Sequence, residues 1–377
     1  MLRFLMGWEA WYLTESAFWV GVVSSAMLVP AFVLSPLFGV MADRARLRRG
    51  LFSTTSGMTA ICIVLSVMWW FERLDIQYLT LIALAKGVIM AAHHPLRFAL
   101  LPHLIPKTLL PSGIGISSIV FNTSRVLAPA LAAGILVISS TGMVLNIAAV
   151  LFALGAYRLL GVPEHQGSST QQQTIWRHLI EGFRYAAHTQ SIRLLLYLTV
   201  LNGLLGRAVI EILPAVSGQL LAGNAQTLAL LTALAGIGSI GAGVVIARQN
   251  GHRASFVNLV MMAIAATGAL MYLLLLPTNV WLVAVVVLLL SLVMTIAGAG
   301  CQTLVQLRVK DHLRGRVMSF WATISMGFPA IGAFIMGASA DLIGFPLTLG
   351  IAGTLVLGSV LLIAQQRQAI QGDSDAD

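Results

Sequence analysis

GVMADRARLRRG, residues 39–50, sets four arginines and one aspartate between two runs, 18–41 and 51–71, that carry no charged residue. A bilayer crossing needs roughly 20 apolar residues at about 1.5 Å rise each, and both runs are long enough. Lys and Arg are held back on the cytoplasmic side when neighbouring segments insert. An arginine cluster between two spans therefore reads as a short cytoplasmic connection in a polytopic membrane protein.

The pattern repeats outward from this loop. Apolar stretches recur at 77–97, 112–138, 142–161, 192–214, 226–248, 255–276, 279–303, 316–337 and 344–364, which with the first two make eleven full-length spans. The composition agrees: of 377 residues, 58% are hydrophobic and 9% charged, against about 25% charged in ordinary globular chains. Soluble, disordered and disulfide-scaffold classes are excluded, and Cys62 and Cys301 lie inside apolar runs. Ahead of the spans, Met1–Leu13 is apolar but covers only about 20 Å of the roughly 30 Å hydrocarbon core. It reads as the end of a first helix whose beginning is absent, through a misplaced start or a truncated chain.

With that piece counted as helix 1, seventeen of the 22 Lys and Arg residues fall after helices 2, 4, 6, 8, 10 and 12. The opposite side has only Arg73, beside Glu72 and Asp75. This places the even-numbered connections and the C-terminus in the cytoplasm of a cell (inner) membrane protein. It also accounts for the formal charge of +9 without nucleic acid.

One long polar interruption divides the spans. Gln166–Gln173 (QGSSTQQQ) has linker composition, and Ile175, Leu179 and Phe183 follow at helical spacing, as in an amphipathic helix lying on the interface. The organisation expected is an N-terminal bundle over 1–161, a cytoplasmic linker over 162–191, a C-terminal bundle over 192–366 and an acidic tail over 367–377. The halves echo one another. The exit of helix 8, at 238–253, has basic residues like the exit of helix 2, and Arg125 with Pro129 matches Ser325 with Pro329 in spacing. Two six-helix halves related by duplication describe a secondary transporter.

Gly39, Asp43, Arg44, Arg48 and Arg49 carry a family resemblance. The stretch resembles the G-x-x-A-D-R-x-G-R-R signature of the major facilitator superfamily, with Arg46 and Leu47 in place of the turn glycine and the paired arginines one residue late. The resemblance implies a latch between the halves on the cytoplasmic side, with Gly39 permitting close helix approach. A second block, from His94 to Gly134, is similar to the bacterial efflux branch that includes enterobactin (siderophore) exporters and macrolide-type efflux proteins. Pro95, Arg97, Ala99 to Pro102, Asn122, Arg125 and Pro129 match, whereas Leu96, Phe98, Ala128 and Ala132–Ala133 depart. Ala128–Gly134 resembles, in degraded form, the glycine-proline signature of proton-coupled antiporters. The resemblance implies that a segment like GWEAWYLTESAFWVG is preceded by most of helix 1, about 15–20 residues, the basis for reading this helix 1 as short.

Ionisable groups inside spans are costly and point to function. Lys86, Met90, His93 and Arg97 share one face of helix 4, and the resemblance turns the face of Asn122 and Arg125 toward the substrate cavity. Arg207 and Glu211 are four apart on helix 7, within pairing distance, and Glu9 lies in the first piece. Glu211 is the proton-coupling candidate. Lys86, Asn122, Arg125, Arg207 and Gln302 are the substrate-cavity candidates. Three cations against two carboxylates suit anionic or neutral amphiphiles better than lipophilic cations. No metal-ligand spacing, cofactor motif or phosphate-binding loop is present in the sequence, and its histidines lack the acidic partners that an embedded enzyme would need. The expectation is a proton-coupled exporter of small siderophore-like or drug-like molecules, working as a monomer in the bilayer without cofactor or nucleic acid. An importer or lipid flippase on the same fold, or a transport-inactive truncated chain, stays open.

Overall fold

The computed structural model describes residues 1–104, 127–136, 138–165, 187–248, 253–276, 279–309 and 314–365, with residues 184–185 and a few isolated positions between 106 and 124. These are almost entirely helical. In chain order the helices are α1 (Leu2–Thr14), α2 (Ala17–Arg44), α3 (Leu47–Trp70), α4 (Ile76–Leu104), α5 (Leu127–Leu136) and α6 (Thr141–Leu159). After the linker come α7 (residues 190–220), α8 (Ala225–Ala247), α9 (Arg253–Leu273), α10 (Val280–Arg308), α11 (Arg314–Ile343) and α12 (Phe345–Ala364). Among the described residues ten helices are long and apolar enough to cross a bilayer, and the span expected at 112–138 enters only as Leu127–Leu136. The first helix has 13 residues.

The two ends of the bundle are built differently. On the face opposite the arginine loops, side chains cap five helix starts. Ser16 accepts from the Trp19 amide in α2, Asp75 from Tyr78 in α4 and Ser140 from Met143 in α6. Asn224 accepts from Thr227 in α8 and Asn279 from Leu282 in α10. Each cap satisfies an amide that has no intrahelical partner, which lets the chain turn within a few residues. The sixth turn uses Gly344, whose φ of 82° suits a residue without Cβ. This is the capped face; the other is the basic face.

Helix α7 departs from the single span expected at 192–214. It runs as α-helix over Gln190–Leu201, widens to a π-helical turn over Asn202–Arg207, returns for Ala208–Glu211, breaks at Ile212 and continues through Leu220. Pro214 has no amide to donate, while Gly203 and Gly206 sit within the wide turn. An apolar run shows neither the break nor the extension, because hydropathy is blind to backbone hydrogen bonding.

The halves meet through α2 against α11, and through α1 against the break in α7. The α2–α11 contact is backbone-close near the capped face. A Cβ on Gly21 would run into the Ala333 carbonyl, and one on Gly337 into that of Ala17. Beside them Ser25 donates to the Ala330 carbonyl at 2.7 Å, and the Phe18 and Phe334 rings meet edge-on. Buried residues from both halves form one core there, including Ala17, Val20 and Val23 of α2, Ile212 and Leu213 of α7, and Ala333 and Met336 of α11.

Candidate functional site: ion pairs between and within the halves

Glu211 closes the short α-helical turn just before the break in α7. Its carboxylate forms an ion pair with Arg3 of α1, more than half the chain away and in the other half. The sequence offers Arg207 as the near cation; the ion pair described for Glu211 is with Arg3. The structure leaves Arg207 exposed while Glu211 is buried. The ion pair itself is unevenly covered: the Glu211 side chain is 6% exposed and that of Arg3 46%. The carboxylate is held inside protein, and the guanidinium reaches an accessible surface. Ser24 of α2 donates to the Glu211 carbonyl at 3.0 Å, which satisfies a backbone group that the break leaves without a helical partner. Gly7 meets Pro214, and Trp11 lies against Gly218, so α1 covers the break from end to end.

Arg3 was not singled out by sequence reasoning, although one signal was available: it is the only cation in the apolar first piece. Lys86 of α4 lies within electrostatic reach of Arg3 and of Cys62. Among the described residues no carboxylate pairs with Lys86. Nearer the capped face, Glu9 is 5% exposed and accepts a 2.7 Å hydrogen bond from Thr141 at the start of α6.

Other expected residues fall elsewhere. Gln302 lies partly exposed on α10, near the basic face. His93 meets Thr54 of α3 at 3.0 Å, so this polar position on α4 is tied to a neighbouring helix. Asn122 and Arg125 lie outside the described residues, as do the amphipathic stretch 175–183 and the acidic tail. Asn202, also missed from sequence, sits buried in the π-helical turn and donates to the Met294 carbonyl of α10 at 3.2 Å.

Of the arginine-loop residues, the structure describes the contacts of Arg48 and Arg49. Among the described residues no atom lies within 4 Å of where a Cβ on Gly39 would stand. The side chains of Asp43 and Arg44 lie outside the described set. Arg48 and Arg49 both reach Glu164, with Nε–Oε2 separations of 3.3 and 3.7 Å, and the Arg48 amide donates to the same carboxylate at 3.1 Å. The backbone joins in, the Leu47 amide donating to the His165 carbonyl at 2.9 Å. These arginines therefore fasten the segment after α6 to the start of α3, within one half of the molecule.

Comparison with known proteins places this geometry. The family profile described as transmembrane secretion effector matches residues 5–376. A staphyloferrin A transporter of Staphylococcus aureus (strain NCTC 8325 / PS 47) is 24% identical over 360 residues, covering 92% of this chain and 87% of the relative. The crystal structure of the nucleoside transporter NupG superposes with a TM-score of 0.72 at 14% identity, covering 97% of each chain. A bacterial homologue of the human lysosomal transporter Spinster, in an inward-facing and unoccupied conformation, gives 0.69 at 13% identity, covering 98% of this chain and 93% of that one. Structural likeness at such identity shows the fold alone. These relatives and neighbours are transporters rather than enzymes, and the chain belongs to the transmembrane secretion effector family, a branch of the major facilitator superfamily of membrane transporters.

Proposed function

We propose that this transporter exports small amphipathic molecules, siderophore-like or drug-like, in exchange for protons, by alternating access of two halves spanning 1–161 and 192–366. In this reading 162–191 is a cytoplasmic linker, and the tail at 367–377 is cytoplasmic too. The observation that carries it is the Arg3–Glu211 pair, a charge contact between α1 and α7 at a helix break. Discontinuous helices at the interface of two repeats are where such transporters hold substrate and coupling ion. Protonating Glu211 removes the negative charge that holds Arg3 and loosens the contact between halves; deprotonation restores it. Lys86, Arg207 and Gln302, with Asn122 and Arg125, are proposed to line the substrate path. The distant staphyloferrin A transporter supports a siderophore-type cargo.

The basic face is taken as cytoplasmic because Lys and Arg concentrate there. In this reading the close α2–α11 packing closes the outward side. Release would require the outward contact to part and the motif of Gly39, Asp43 and Arg44 to close the other end. The protein is proposed to act as a monomer in the inner membrane. The test is flux in proteoliposomes under an imposed pH gradient. Glu211→Gln is expected to abolish gradient-driven export while leaving counterflow exchange of substrate measurable. Unchanged gradient dependence in that variant would overturn proton coupling through this residue.

A further inference from the structure

We infer that Glu9 of α1 is a second proton-binding site, one that loads the protein from the water at the capped face. Its carboxyl group is 5% exposed and accepts a 2.7 Å hydrogen bond from the Thr141 hydroxyl. Among the described residues no cation lies within ion-pair distance of it. A carboxylate charge inside a bilayer calls for neutralisation, which a neutral hydroxyl does not supply. A proton does. Depth decides the side from which that proton comes. Glu9 stands about 8 Å from the capped-face end of α1, at 1.5 Å per residue. Thr141 is the first residue of α6, and Ser140 beside it caps that helix. Thr141 is buried and Ser140 is partly exposed, so one residue separates the hydroxyl from the accessible surface. The start of α6 also brings the positive end of its dipole toward the carboxyl group. The deprotonated form thus has a neighbour that favours it, and the proton can leave again. Thr141 is held in place from the other side. A Cβ on Gly142 would meet the Trp69 and Trp70 rings, and Ser66 of α3 donates to Asn146 at 2.8 Å.

The other charged groups on the elements packed against α1 stand elsewhere. Arg3 pairs with Glu211 of α7, and the Met1 ammonium lies at the opposite end of α1. Lys86 lies about 15 Å into α4 from its capped-face end, with His93, His94, Arg97 and His103 farther on. Asp43 and Arg44 end α2, and Arg158 ends α6, at the basic face. On α7, Arg193 and Arg207 are exposed; at the capped face Glu15, Glu72, Arg73 and Asp75 are exposed too. The two buried carboxylates therefore do different work. Glu211 holds a contact between the halves, whereas Glu9 lies within one half, between α1 and α6. The step is proton binding alone. Oε2 takes the proton from outer water while Oε1 keeps its hydrogen bond from Thr141. This inference rests on the transport reading above for the capped face being outermost. The first measurement below needs neither flux nor a gradient, so the two can fail separately.

The full chain in phosphatidylcholine nanodiscs is stepped between acid and alkaline pH while the infrared carbonyl band of protonated carboxyl groups is recorded. Glu9→Gln should remove one pH-sensitive band, and Glu211→Gln should leave that band in place. Thr141→Val should shift its frequency, because the hydrogen bond to Oε1 is gone. This variant keeps the carboxyl group and carries the test if Glu9→Gln does not fold, with thermal unfolding as the check. Flux in proteoliposomes under an imposed pH gradient then tests the loading role. Glu9→Gln should slow the initial rate of gradient-driven export by about tenfold, as loss of a positioned proton-transfer group does. Counterflow exchange should be unchanged, and Glu9→Asp should recover most of the rate. Loss of the band together with selective loss of gradient-driven rate supports the site. No pH-sensitive band in the unmodified chain, or one that neither Glu9→Gln removes nor Thr141→Val shifts, overturns it. An unchanged export rate, or equal loss of export and counterflow, overturns the loading role.

Discussion

The α2–α11 pair is packed backbone to backbone at its capped-face end, and its basic-face end carries related residue types in sequence. At the capped face Asp341, two residues before the end of α11, reaches across to the start of α2. It accepts from the Ser16 hydroxyl, from the Ala17 amide at 2.9 Å and from the Phe18 amide at 3.0 Å. A carboxylate on a helix N-terminus satisfies free amides and complements the positive end of the helix dipole. At the basic face the mirrored placement exists in sequence: Asp43 is the penultimate residue of α2, and α11 begins at Arg314. There Gly39 has no described atom within 4 Å, whereas Gly21 and Gly337 lie backbone to backbone with the opposite helix. Among the described residues, that close packing is engaged at the capped-face end. Two helices crossing on small residues can close at either end but not at both, which is the geometry that a rocking transporter needs.

The comparison can be broken in graded steps. Gly21→Leu should have the largest effect, because the neighbour is a carbonyl that cannot rotate away. Overpacking of this kind costs about 1–3 kcal/mol, and the pair should open at the capped face, seen as faster labelling of a cysteine placed at Phe18. An unchanged labelling rate would mean that the contact does not close this end. Asp341→Ala comes next. Losing a capping carboxylate costs about 0.5–2 kcal/mol, and crosslinking between cysteines at Phe18 and Phe334 should fall, whereas Asp341→Asn should fall less. Glu164→Gln should cost well under 1 kcal/mol, because the ion pairs of Arg48 and Arg49 are partly solvated. It should free the segment after α6 to proteolysis while leaving the Phe18–Phe334 crosslink intact. The smallest stability effect belongs to Gly39→Ala, which should be neutral or raise stability by up to about 1 kcal/mol through helix propensity. If the basic-face end must also close during transport, the same substitution should slow flux. Unchanged flux would remove Gly39 from the gate.

The functional centre shows where sequence reading stopped. Glu211 was conspicuous because a carboxylate in an apolar run is expensive wherever it points. Its partner was not conspicuous, since spacing along a helix offers Arg207 while the real partner comes from the other half. Arg3 had been counted only as one charge in a short segment. Arg48 and Arg49 stood out through a motif that implied contact between the halves, yet Glu164 lies nearer in space and takes both guanidinium groups.

Hydropathy and charge placement alone were enough to establish a polytopic helical membrane protein, its approximate spans and the asymmetry between its faces. Each depends on how one residue interacts with its solvent, water or lipid, and a linear chain records that position by position. Ion-pair partners, the break at Ile212 and the closed end of the α2–α11 pair were decided only by the tertiary structure. They depend on which surfaces of distant helices meet, and a single helical period accommodates several such meetings at nearly equal local energy.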